Sequence, residues 1–191
     1  QIAIQKGILK SWNQKVKTLL PDLKGKYADS LELWHLSTMS SGLQWDEKYK
    51  DPFAVTAKAY YGDDVKKLMM TLPIVNEPGK EYNYQSGSTQ LLGMCVMQAT
   101  GKTLSELASE WLWKPMCAVH AAQWHTDDAG TELAYCCFNS NARDFARFGK
   151  LMLHHGNWNG TPFDSISITQ SSNKSLTFSR AYALVNNVDN Y

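Results

Sequence analysis

A serine hydroxyl becomes a useful nucleophile only when a neighbouring base removes its proton, and the base in turn needs a fixed position. Ser41, His125 and Asp128 supply the side-chain types of a catalytic triad, but they are far apart in the chain and such combinations occur in almost any sequence. No Gly-x-Ser-x-Gly elbow occurs, which disfavours an α/β-hydrolase. Tyr84-Gln85-Ser86 sets a phenol and a hydroxyl two residues apart, directly ahead of an apolar stretch. Taken alone, such a tyrosine reads as an amphipathic aromatic at the edge of a core. Trp45, Tyr61 and Tyr135 are large aromatics of the kind that either line a substrate pocket or fill a core. The histidines, His35, His120, His125, His154 and His155, form neither an HExxH nor a Cys/His grouping with zinc spacing, so no metal or cofactor is expected. Cys95, Cys117, Cys136 and Cys137 could pair in three ways, yet neighbouring cysteines rarely bridge, and free core thiols are the expectation.

Composition narrows the partners. The 191 residues are 43% apolar, enough to bury one sizeable core. A net charge of +1 gives no broad electrostatic footprint for nucleic acid or an anionic membrane, so a small molecule is the expected partner. The longest apolar runs, such as 91–97, fall well short of the roughly 20 residues a bilayer span needs. Residues 1–10 carry neither a signal core nor a cleavage site, and the sequence does not reveal the compartment or the oligomeric state.

The elements that must position these side chains are mostly helical. Thr103 with Glu106 forms a capping box ahead of Leu104, Leu107, Ala108 and Trp111, and Pro115 ends that helix. The stretch 89–100 predicts another helix, with Gly101 at its C-terminal cap. Ser140 or Asn141 caps a helix whose inner face is Phe145, Phe148, Leu151 and Met152, stopped by Gly156. Asp29 or Ser30 opens one through Leu33, Leu36 and Met39 to Gly42, and Asp64 opens one through Val65, Leu68 and Leu72 to Pro73. Residues 1–7 resemble the tail of an amphipathic helix running into a glycine stop. Strand signals are confined to short pieces such as 165–169, and 165–175 reads as a polar surface loop. Aromatic residues thin out after Trp158, which places the core in the first two thirds.

Four segments together resemble the penicillin-recognising serine hydrolases, the group of class C beta-lactamases and nylon-oligomer hydrolases. Residues 77–86, ending in Tyr84-Gln85-Ser86 and followed by Leu91-Leu92-Gly93, look like the family's Tyr-x-Asn or Tyr-x-Ser motif ahead of a helix. Residues 35–43 are similar to its helix-to-loop segment, 142–149 to a later helix, and 156–160 to the turn that follows. The Tyr-x-Ser form and Trp45-Asp46-Glu47 lean towards the nylon-oligomer hydrolase and esterase-like branch. The pair Cys136-Cys137 stands where many relatives have small glycines.

The resemblance implies an α+β, beta-lactamase/transpeptidase-like fold, of which residues 1–191 supply part, mainly the helical lobe. It implies Tyr84 as general base and Ser86 as a group that orients substrate or relays a proton. Trp45, Tyr61 and Tyr135 occupy places where related enzymes line the pocket. The family's nucleophile is a Ser-x-x-Lys, expected ahead of Gln1; Ser171-Ser172-Asn173-Lys174 has the spacing but no helical periodicity around it and reads as chance. The third family motif, a Lys-Thr-Gly or similar strand, is not found in the sequence. The intact protein is thus expected to hydrolyse an ester, lactam or small amide through an acyl-enzyme, with this chain inactive alone and a bacterial envelope location. The alternative is a non-catalytic ligand-binding or scaffold fragment of the same fold.

Overall fold

The structure, a computed structural model, describes residues 1–158 and 161–162. The strand expected at 165–169, the polar loop at 165–175 and the Ser-x-x-Lys at 171–174 lie outside the described residues.

Helix α1 (Ile2–Gln5) stops at Gly7, whose left-handed φ of 70° ends the helical path. Two 3₁₀ turns (Val16–Thr18 and Ala28–Ser30) lead to α2 (Leu33–Ser37). The long helix expected from Asp29 or Ser30 to Gly42 does not form. Glu32 and His35 make a capping box that starts α2 afresh, and Met39 takes a left-handed φ of 55° that ends it. Helix α3 (Val55–Tyr61) escapes sequence reading because its valine, threonine and tyrosines favour strands; burial of Thr56 and Ala59 overrides that preference. Helix α4 (Val65–Thr71) begins as expected at Asp64, whose carboxylate accepts from the Lys67 N–H at 2.9 Å.

Helix α5 (Ser86–Thr100) is the hub and contacts α2, α4 and α6. It starts three residues earlier than its apolar pattern suggests and ends at Gly101, φ 68°. Helix α6 (Leu104–Ala108) carries the expected Thr103/Glu106 box and runs into a wider π turn (Ser109–Trp113) before Pro115. Helix α7 (Ala142–Leu153) is capped by Asn141. Among the described residues the strands are two short antiparallel pairs, β1 (Gln123–Trp124) with β2 (Phe138–Asn139), and β3 (Asn157–Trp158) with β4 (Thr161–Pro162). No helix among the described residues is long and apolar enough to cross a membrane.

The main core gathers Leu31, Leu33, Leu36, Met69, Ile74, Leu91 and Leu133, all fully buried, around α5. A smaller core under α7 holds Trp113, Met116 and Leu151. The expected inner face of α7 is only partly realised, since Phe145 and Phe148 are 41% and 38% exposed. Of that face Leu151 is fully buried as expected, joined by Asp144 seven residues earlier, and Phe145 packs edge-on with Trp113 and Phe138 from the margin. All four cysteines are free, but only Cys95 is a buried core thiol, its pKa pushed up to about 12 by burial. Cys117 is exposed, and Cys136 and Cys137 are half-buried.

Candidate active site

The approach to Tyr84 is a strap of irregular chain held down by backbone hydrogen bonds. Gln44 N–H donates to Pro73 C=O at 2.9 Å, Val75 N–H to Gly42 C=O at 2.8 Å, Gly79 N–H to Ser40 C=O at 2.8 Å and Asn83 N–H to Met39 C=O at 2.8 Å. So close an approach needs glycine at position 42: its φ is 69°, and a Cβ there would lie 2.1 Å from the Asn76 carbonyl oxygen.

At the end of the strap Gln85, the N-cap residue of α5, turns inward. Its amide Nε2 donates to the Leu43 carbonyl at 2.8 Å, and its Oε1 accepts from the Ser41 hydroxyl at 3.2 Å. Ser41 also bonds the Ser88 hydroxyl at 2.8 Å. Gln85 is extended (φ −144°, ψ 110°), so burial of its side chain sends that of Tyr84 the other way, where it is 54% exposed.

Ser86 opens the first turn of α5 and meets Glu47. The Glu47 carboxylate accepts from the Ser86 backbone N–H, from the Ser86 hydroxyl at 3.3 Å, from Trp45 Nε1–H at 2.8 Å and from the Tyr49 hydroxyl. A negative group on N–H groups that lack an intrahelical partner at a helix start is favourable in both hydrogen bonding and interaction with the helix dipole. The bond to Glu47 pushes the Tyr49 phenol pKa above its ordinary value, because ionising it would place a second negative charge against the carboxylate. Tyr84 also acts on Tyr49 electrostatically, so the two phenols share one neighbourhood.

The indole of Trp45 meets Tyr135 edge-on, with ring centroids 6.3 Å apart. Burial pushes the Tyr135 phenol pKa well up, and its hydroxyl is buried without a hydrogen-bond partner. Ser86, Trp45, Glu47, Tyr49, Tyr84 and Tyr135 thus converge where the strap joins α5.

Residues 4–178 match the beta-lactamase family. The chain belongs to that family. It is 27% identical over 154 residues to the 6-aminohexanoate-dimer hydrolase of Paenarthrobacter ureafaciens, covering 75% of this chain and 39% of that protein. A solved structure from Bacillus anthracis, provisionally described as a 6-aminohexanoate-dimer hydrolase, superposes with a TM-score of 0.78 at 25% identity, over 90% of this chain and 48% of that one. A provisionally described beta-lactamase from Bacteroides dorei superposes with a TM-score of 0.66 at 20% identity, over 88% and 52%. The chain therefore spans about half or less of the length of these relatives. As a beta-lactamase-family chain it has the beta-lactamase/transpeptidase-like fold, and the described part is its helix-rich portion.

In this beta-lactamase-family chain the tertiary structure does not bring every sequence candidate together. Tyr61, at the end of α3, is 82% exposed and packs edge-on against Tyr60, which stacks on His125 at 5.4 Å. Ser41 of the paper triad is wholly buried in the Gln85 network, where it bonds Ser88 rather than a histidine. Sequence reading noted the Trp45-Asp46-Glu47 passage but missed Glu47 and Tyr49 as site residues. Their signal is weak, a carboxylate two residues from a tryptophan on one side and a tyrosine on the other.

Proposed function

We propose that the intact protein is a serine hydrolase that acts through an acyl-enzyme on an ester, a lactam or a small amide, with Tyr84 as general base and Ser86 as its polar companion. The observation that carries this is Gln85: its buried hydrogen bonds turn Tyr84 outward immediately before a helix whose first residue, Ser86, is bonded to Glu47. The family resemblance puts the nucleophilic serine and its lysine outside this chain. In the acylation step the serine oxygen bonds to the carbonyl carbon, Tyr84 takes the serine proton and passes it to the leaving nitrogen or oxygen, and that bond breaks. An ammonium beside a phenol favours the phenolate, which is the lysine's part in the scheme. Water then repeats the sequence and releases the acid. Similarity to a 6-aminohexanoate-dimer hydrolase supports a small amide among these substrates.

The test is acylation of the full-length protein by a fluorophosphonate and by a penicillin, in the wild type and in Tyr84→Phe. Loss of a general base should slow labelling about 10²-fold or more. Equal rates would remove Tyr84 from the mechanism. Failure of the wild type to react with either probe would favour a non-catalytic binding module.

A further inference from the structure

Adjacent side chains of an extended chain point to opposite faces, yet the sulfurs of Cys136 and Cys137 lie 2.7 Å apart. The backbone is the cause: Cys137 adopts a left-handed φ of 65°, uncommon outside glycine, which swings its side chain back over that of Cys136. Both carbonyls of the pair are held in place. Trp124 Nε1–H donates to Cys136 C=O at 3.0 Å, and His125 N–H and the Asn139 side-chain amide donate to Cys137 C=O at 3.2 Å and 2.9 Å. Cys136 packs on the main core, while Cys137 lies 4.0 Å from the Tyr60 hydroxyl. Both sulfurs act electrostatically on Tyr135, which places them beside the candidate active site.

We propose that Cys136 and Cys137 form a vicinal dithiol that small-molecule disulfides oxidise reversibly to an intrachain disulfide. The Cys137 thiolate attacks one sulfur of the oxidant, R–S–S–R, forming a mixed disulfide and expelling RS⁻. The Cys136 sulfur, once deprotonated, attacks Cys137 Sγ and expels the second RS⁻. The sum is two cysteine thiols plus R–S–S–R giving one disulfide and two RSH, so two electrons and two protons pass to the oxidant. Cys136 packs on the main core and burial pushes its pKa up to about 12, which makes Cys137, whose sulfur faces the Tyr60 hydroxyl, the first attacker and Cys136 the resolving sulfur.

Neighbouring Cα atoms are only about 3.8 Å apart, below the ordinary disulfide range, which is why such pairs rarely close. Here the backbone already holds the sulfurs together, and the strain that remains favours ready reduction. This inference is independent of the hydrolase reading.

The experiment incubates the reduced protein with oxidised glutathione and follows intact mass and iodoacetamide-reactive thiols. Loss of two hydrogens and of two reactive thiols is expected, mapped to the peptide holding both cysteines and reversed by dithiothreitol. The double variant Cys95→Ser/Cys117→Ser should behave identically, whereas Cys137→Ser should stop at a glutathione adduct or stay reduced. Two-hydrogen loss that persists in Cys137→Ser, or that disappears in Cys95→Ser/Cys117→Ser, would overturn the proposal. So would a wild type that gains only glutathione adducts or does not react.

Discussion

Gln85 and Glu47 organise the site by different means. Gln85 is a neutral amide whose partners, Leu43 C=O and the Ser41 hydroxyl, have no access to water. Gln85→Leu would strand the Leu43 carbonyl, while the Ser41 hydroxyl would keep its bond to Ser88, and a buried polar group so stranded costs about 1–3 kcal/mol. We expect the urea midpoint of Gln85→Leu to fall accordingly, while exposed Tyr84→Phe stays within about 0.5 kcal/mol of wild type. That contrast separates positioning from chemistry. Glu47 gathers four donors on two oxygens, and Glu47→Gln would turn an N–H₂ towards some of them. A stability loss of about 1–2 kcal/mol is expected, from a weakened cap on α5 and the lost charge-assisted bonds. The same change should lower the Tyr49 pKa towards that of an ordinary phenol, measurable by ultraviolet titration, because the bond to the carboxylate is the main cause of its elevation. An unchanged Tyr49 titration would remove Glu47 as that cause.

Among the elements, α7 is held by one carboxylate. Asp144 is fully buried and accepts from the N–H groups of Val119 and His120 at 3.0 Å each, from Asn141 Nδ2 at 2.6 Å and from Arg147 Nη1 at 2.7 Å. Burial by itself would raise its pKa, but the bonds from Val119, Asn141 and His120 outweigh burial and hold it well below its ordinary value of 3.8. The folded state thus binds this proton more weakly than the unfolded chain does. Its stabilising contribution is complete above the ordinary carboxylate range and is lost as pH falls from there through the depressed folded value. Asp144→Asn should lower stability at neutral pH and flatten its decline below about pH 4, read as urea midpoints against pH. An equally steep acid decline in the variant would assign it to other carboxylates.

Across the molecule, the site depends on how the strap leading into α5 is laid against a segment some forty residues earlier in the chain. Strap residues 73–83 cross residues 39–44 at backbone contact, and Gly25 and Gly42 are the points of closest approach: a Cβ on Gly25 would meet the Ile74 backbone at 2.2 Å. Gly42→Ala carries about 1–2 kcal/mol from its left-handed φ alone, with the clash against Asn76 added. It should both destabilise the fold and displace Tyr84. Fluorophosphonate labelling is therefore expected to drop further than the folded fraction does; labelling that merely tracks the folded fraction would mean that the strap does not set the site.

Local chemistry was legible without coordinates. Asp64, Asn141, the Thr103/Glu106 box and Gly101 were readable as helix ends, because caps are written within four residues of the ends they satisfy. Tyr84-Gln85-Ser86 stands out through the company of its neighbouring segments, which also point to the beta-lactamase family to which the chain belongs. The short α2, the unforeseen α3, the outward Phe145 and Phe148, the roles of Glu47 and Gln85 and the approach of Cys136 to Cys137 were decided only by tertiary structure. Glu47 meets Ser86 across 39 positions and Gln85 meets Leu43 across 42. Burial and hydrogen-bond partnership over such separations follow from how the chain packs, and a local pattern carries no record of them.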